Sequence, residues 1–231
     1  MASKSVLMWV TQTSKVPSAR NISVLMNWAI KLRSSLLLRV HVAIIITVVS
    51  SIPSTSHAAE MLYMKLWKEN SQYHLRSSTT IKAPPELIFN VLVDYNNFYR
   101  LSGGIKETRY LQPDPDGTPV AFTLVESCVL FFCKQVKKTD RVIIKSTSEI
   151  VLEADPARSD FKFMHSRWTI KKYGKQSLLT YDMDMQPDFW IPPFIGTWAL
   201  ERKLHTTAIN MAQRLEEMAA TGTPLSDFKI K

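Results

Sequence analysis

Apolar residues recur along this chain with two different periods. Over residues 85–95, Leu87, Ile88, Val91, Leu92 and Tyr95 fall at the spacing of one helical face. Pro84 and Pro85 precede them and Glu86 suits the positive end of a helix dipole, so a helix is predicted to open there. Residues 197–220 carry the longest helical pattern, with Leu200, Leu204, Ala208, Met211, Leu215 and Met218 on one side and Gly222 and Pro224 as its stop. Between these segments the period changes to two. Residues 105–112, 119–132, 134–145, 148–154, 160–172 and 176–186 read as successive strands, and 62–82, rich in Thr, Tyr and Trp, as one long exposed first strand. PDPDG (113–117), a weak break near Cys133, residues 146–148, DPARS (155–159) and Tyr173-Gly174 separate them. The aromatic segment NNFYRL (96–101) is predicted to add a short helical turn.

This order predicts an α+β domain, a curved antiparallel sheet of about seven strands wrapped around the long C-terminal helix. Consecutive strands joined by short turns favour a meander that hides its apolar face under a helix. The volume between sheet and helix is either packed solid or left as a ligand cavity.

The last strand sharpens the choice. Trp168, Tyr181, Met183 and Met185 alternate inward, whereas Asp182 and Asp184 share the opposite face and read as solvated carboxylates. PDFWIPPFIGTW (187–198) follows, a proline-stiffened loop carrying Phe189, Trp190, Phe194 and Trp198. Loops are normally polar. An aromatic one points to the lip of an apolar pocket, to a surface that touches membrane, or to a plug folded into the core. Together these eight residues are the candidate ligand-binding set.

No catalytic constellation accompanies them. His74, His165 and His205 are the histidines after residue 58, and no pair has metal-ligand spacing; GxSxG, HExxH, CxxC and glycine-rich phosphate loops are all absent. No metal or cofactor is expected. His165 and Arg167 share a strand face with Phe161 and Phe163, which fits either a site for an anion or carbonyl or an exposed outer pair. Cys128 and Cys133 would lie about 16 Å apart in a straight strand. A disulfide therefore requires a turn or bulge within CVLFFC, since Cα atoms beyond about 7 Å cannot be bridged; otherwise both are buried thiols.

Charge divides the chain. Residues 1–58 hold six basic residues and no acidic one, while the remainder holds 23 basic against 20 acidic, a net of +3 with the signs interspersed. That balance carries no electrostatic footprint for nucleic acid. After Arg39 comes an uncharged apolar run of 13 residues (40–52), then Pro53, then Ser56 and Ala58 as a small-x-small exit. Residues 1–58 thus read as an export leader, a signal peptide with a start at Met26 as an alternative, directing the domain 59–222 to a bacterial periplasm. An uncleaved signal-anchor that includes Leu36–Leu38 and a mitochondrial transit peptide are the rival readings. Residues 223–231 read as a C-terminal tail.

The stretches IKAPPELIFNVLVDYNNFYRL (81–101), SDFKFMHSRWTI (159–170) and LLTYDMDMQPDFWIPPFIG (178–196), followed by the long helix, resemble the START-like superfamily. Within it, the chain resembles polyketide cyclase/dehydrase or lipid-transport domains and coenzyme Q-binding START proteins, over roughly residues 75–220. The resemblance implies a helix-grip fold, an incomplete barrel closed around the last helix over a hydrophobic cavity. It implies a lipid, sterol, quinone or polyketide ligand, with no shared catalytic set to carry over. An export leader argues against the ribosome-directed role of some relatives. The expected function is an exported binding protein for a lipid or isoprenoid quinone, with peripheral membrane contact at the aromatic loop. The alternatives are a cyclase or dehydratase using His165, Arg167 or Tyr181 as acid–base groups, and a docking module whose cavity is filled by its own side chains.

Overall fold

A computed structural model describes residues 59–129 and 131–229; the leader reading falls on residues outside that range. The described residues form strands β1 (Glu60–Glu69) and β2 (Gln72–Ile81), helix α1 (Pro85–Val93), then β3 (Ile105–Tyr110), β4 (Val120–Val129) and β5 (Phe132–Ser146). They continue through β6 (Glu149–Ala154), β7 (Phe161–Tyr173) and β8 (Gln176–Pro187) to helix α2 (Thr197–Thr221). The aromatic segment forms a 3-10 turn at Phe98–Leu101. All eight strands join one antiparallel sheet in the order β1-β2-β8-β7-β6-β5-β4-β3.

The eighth strand comes from the stretch read as one long strand over 62–82. It is a hairpin, with Glu69 opposite Gln72 and Asn70 in the left-handed region at φ 53°. Asparagine tolerates that conformation, and the polar run KENSQ (68–72) around it is the turn signal that the single-strand reading passes over. The β4–β5 turn falls earlier than the break read near Cys133. β4 ends at Val129 and β5 begins at Phe132, so the turn lies inside CVLFFC and makes Cys128 and Cys133 cross-strand partners. Their Cα atoms are 4.0 Å apart and their sulfurs 2.05 Å apart.

Two apolar clusters fill the concave side. One is a solid core in which Ile88 and Val91 of α1 meet Ile150, Ile170 and Met218 of the sheet and α2. The segment after Gly222, read as a tail, is tied into it. Gly222 takes φ 70° and returns its N–H to the Met218 carbonyl at 2.9 Å, as helix ends do. Leu225 and Phe228 are buried in the core, and Arg100 donates to the Phe228 carbonyl at 2.9 Å. The second cluster, with Leu66, Tyr73, Leu75, Phe161, Met164 and Met183 as its buried members, faces the first half of α2. It does not close.

Candidate functional site

A cavity of about 660 Å³ lies between the sheet and α2. Its walls are the inner faces of β2, β4, β5, β7 and β8, and its roof is Leu200, Leu204, Ala208 and Met211 of α2. Those roof residues keep the helical spacing of an ordinary core face, yet each remains half-buried because it borders empty volume.

Five of the eight residues singled out from sequence meet at this cavity: Trp168, Tyr181, Met183, Met185 and Phe189. Trp168 stacks on Tyr181 with ring centroids 4.0 Å apart. The other three do not line it. Trp190, Phe194 and Trp198 are 68%, 53% and 61% exposed. The aromatic loop splits between two environments, with Pro187, Phe189, Ile191 and Ile195 turned inward and the large rings between them turned out. Trp198 folds back over Gly196, where a Cβ would come within 2.7 Å of the indole. Phe194 stacks on Phe131 at the β4–β5 turn, with centroids 5.1 Å apart. The loop is therefore a wall with an aromatic outer surface, not a plug.

The acid–base candidates also divide. Tyr181 lines the cavity, whereas His165 and Arg167 lie on the outer sheet face, where Arg167 Nε approaches Glu149 Oε1 at 3.4 Å. Phe161 does not share their face. A β-bulge between Phe161 and Phe163 turns Phe161 into the cavity while Phe163 stays 42% exposed. Asp184 is on the outer face as well, accepting from His74 Nδ1 at 2.7 Å and pairing with Arg76 at 2.9 Å. Partial burial pushes the Asp184 carboxyl up, but the His74 and Arg76 bonds outweigh it and hold it below the usual carboxylate range.

Sequence reasoning missed the polar part of the cavity. Lys138 is on its wall, with Nζ 2.7 Å from Oδ2 of Asp140, a residue only 1% exposed. Tyr95 and Tyr181 complete the group on the same lining, and Ser166 is buried behind it. The available signal was parity. Val136 and Val142 face inward along β5, so Lys138 and Asp140, at even spacing between them, must face inward too. In KQVKKTDR that pattern is hidden by charges that read as a solvated face. Burial works against the Lys138 ammonium, but the Asp140 carboxylate and the neighbouring Tyr181 together outweigh it and the lysine titrates above its ordinary range. Burial and then the Asp140 charge push the Tyr95 phenol well up; burial also raises Tyr181, with the Lys138 charge opposing.

A sheet gripping a helix over a hollow is a shape shared with known proteins. Residues 81–212 match the family described as polyketide cyclase/dehydrase and lipid transport. The chain belongs to this family. Among solved structures, a START superfamily protein from Mycobacterium smegmatis aligns at 19% identity with a TM-score of 0.50, covering 65% of this chain and 99% of that one. A STAR-related lipid transfer protein from Xanthomonas axonopodis aligns at 15% identity and a TM-score of 0.50, covering 66% and 98%. Human STARD10 aligns at 12% and 0.50, covering 68% and 74%. At such identities the likeness speaks for the fold, START-type helix-grip. No curated protein matches the chain.

Proposed function

We propose that this family member is an exported binding protein that holds a hydrophobic ligand, of the lipid or isoprenoid quinone class, between its sheet and α2. The observation that carries the reading is the cavity of about 660 Å³ under a helix whose apolar face is left half-buried. That volume falls within the range typical of small-molecule sites. Its walls gain about 0.8 kcal/mol for each methylene they take out of water. The lipid-transport description of the family agrees, and the leader pattern over residues 1–58 supports export. Phe131, Trp190, Phe194 and Trp198, exposed beside the inward-facing Phe132, Phe189, Ile191 and Ile195, favour ligand exchange at a bilayer surface.

Native mass spectrometry of the protein expressed with its own leader, followed by organic extraction, tests the reading. A stoichiometric lipid or quinone is the expected result. Protein that carries nothing and takes up no neutral fluorescent probe would overturn it. Membrane contact is tested apart from binding: Trp190→Ala with Trp198→Ala should reduce pelleting with phosphatidylethanolamine/phosphatidylglycerol vesicles severalfold while leaving probe uptake in solution unchanged.

A further inference from the structure

The cavity is not uniformly apolar: hydroxyls such as those of Ser77, Thr79 and Thr123 line it, and beside them stands one cluster of ionisable groups. Glu126, Lys134 and Lys203 also border it, but each of these reaches solvent. Lys138, Tyr95 and Tyr181 do so from the interior, backed by Asp140 and Ser166 at 1% exposure each. Asp140 is too deep to touch a ligand, and neither of its carboxylate oxygens completes a hydrogen bond among the described residues, Oδ2 making only the 2.7 Å ion-pair contact with Lys138 Nζ. It neutralises Lys138 through that contact. One direction of the ammonium is thereby used and its remaining N–H donors are left for the cavity, where two phenols supply further O–H groups. Such groups are costly to bury unless something accepts from them.

We propose that Lys138, with Tyr95 and Tyr181, forms a head-group subsite that takes a neutral oxygen acceptor, a ketone or quinone carbonyl, at one end of an otherwise apolar ligand. This rests on the binding reading above and narrows its ligand class. The charge count decides against an anion. Lys138 and Asp140 already cancel, so a carboxylate or phosphate would bring an uncompensated charge into a dry cavity, whereas a carbonyl oxygen accepts the free donors without one. Asp140 is a positioning residue: it sets the direction and the net charge of the ammonium.

The test uses dodecane, dodecan-2-one and dodecanoate, which share a chain and differ in the oxygen they carry, competing at neutral pH for N-phenyl-1-naphthylamine bound to the purified protein. The ketone should displace the probe better than the carboxylate. Asp140→Asn, which leaves the lysine charge uncompensated, should shift the ketone-to-carboxylate preference toward dodecanoate by about tenfold or more. The double variant Lys138→Met, Asp140→Leu exchanges a buried ion pair for apolar side chains, which folds tolerate; it should lower the ketone-to-dodecane preference by about tenfold while probe and dodecane still bind. A carboxylate preference in the unaltered protein, or preferences identical in all three proteins, would overturn the subsite and leave the cavity reading standing. Failure of the probe to bind, or of every competitor to displace it, would overturn both.

Discussion

The two halves of α2 face the same sheet with the same kinds of side chain and meet different interiors. Toward its C-terminus, Met218 is 3% exposed within the solid core, and Leu215, 2% exposed, sits where that core borders the cavity. Toward its N-terminus, Leu200, Leu204 and Ala208 keep the same face and spacing but border the cavity. The difference does not come from the helix. It comes from what stands opposite: α1 and the buried tail residues Leu225 and Phe228 fill one end, and among the described residues no such element covers the other. A helical pattern therefore identifies the buried face, and the neighbouring elements decide whether that face meets protein or a guest.

Substitutions can break this contrast. Ile88→Ala, at a fully buried position of the solid end, should cost about 2–5 kcal/mol in urea unfolding. A loss under about 1 kcal/mol would mean that this end is not packed as described. Alkaline pH should act on the interior next. Burial raises the Tyr95 phenol, so the unfolded chain releases that proton first as pH climbs past about 10, and stability falls there. The raised Lys138 contributes in the same direction, its stabilisation being complete below the ordinary lysine range and lost as pH rises through the higher folded value. Tyr95→Phe should flatten the decline, read from melting temperatures across that range.

Smaller effects sharpen the comparison. Replacing Cys128 and Cys133 together by Ser removes a short cross-strand closure at the β4–β5 turn and should cost about 2 kcal/mol. The loss should fall on hydrogen exchange in that hairpin before the rest of the sheet. Leu204→Ala, on the roof of the cavity, should change stability by less than about 1 kcal/mol because the side chain already borders empty volume. Probe affinity should move more than stability. A destabilisation equal to that of Ile88→Ala would show the two ends to be alike.

Much of the fold was legible because periodicity survives in single elements. The helical pattern over residues 197–220 and the alternation of Tyr181, Met183 and Met185 both placed their faces correctly. What escaped depends on pairings between elements. The β1–β2 turn at Asn70 lies in the polar run KENSQ (68–72), too short a break to divide the strand-like residues on either side by composition alone. The turn in CVLFFC has no glycine, proline or asparagine to announce it. Trp190, Phe194 and Trp198 read as pocket residues by type, but only the path of the loop decides that they face out. Lys138 and Asp140 lie inward by parity against every expectation from their charge, because each makes the other tolerable in an apolar wall.

Glu216 accepts from the backbone N–H groups of Ala59 and Lys82 at 2.9 and 2.8 Å, and Glu201 accepts from that of Leu66 at 2.9 Å. In mechanical terms α2 is a beam clamped where it enters the solid core and, among the described residues, held near its start by the Glu201 bond and by the packing of Leu200 and Leu204 on the second cluster. Compliance is concentrated at that end, the same end that carries the aromatic loop. Opening there would strain the Glu201 bond and the Leu200 and Leu204 packing and leave the clamp untouched, so the ligand proposed above could be exchanged while the molecule stays folded.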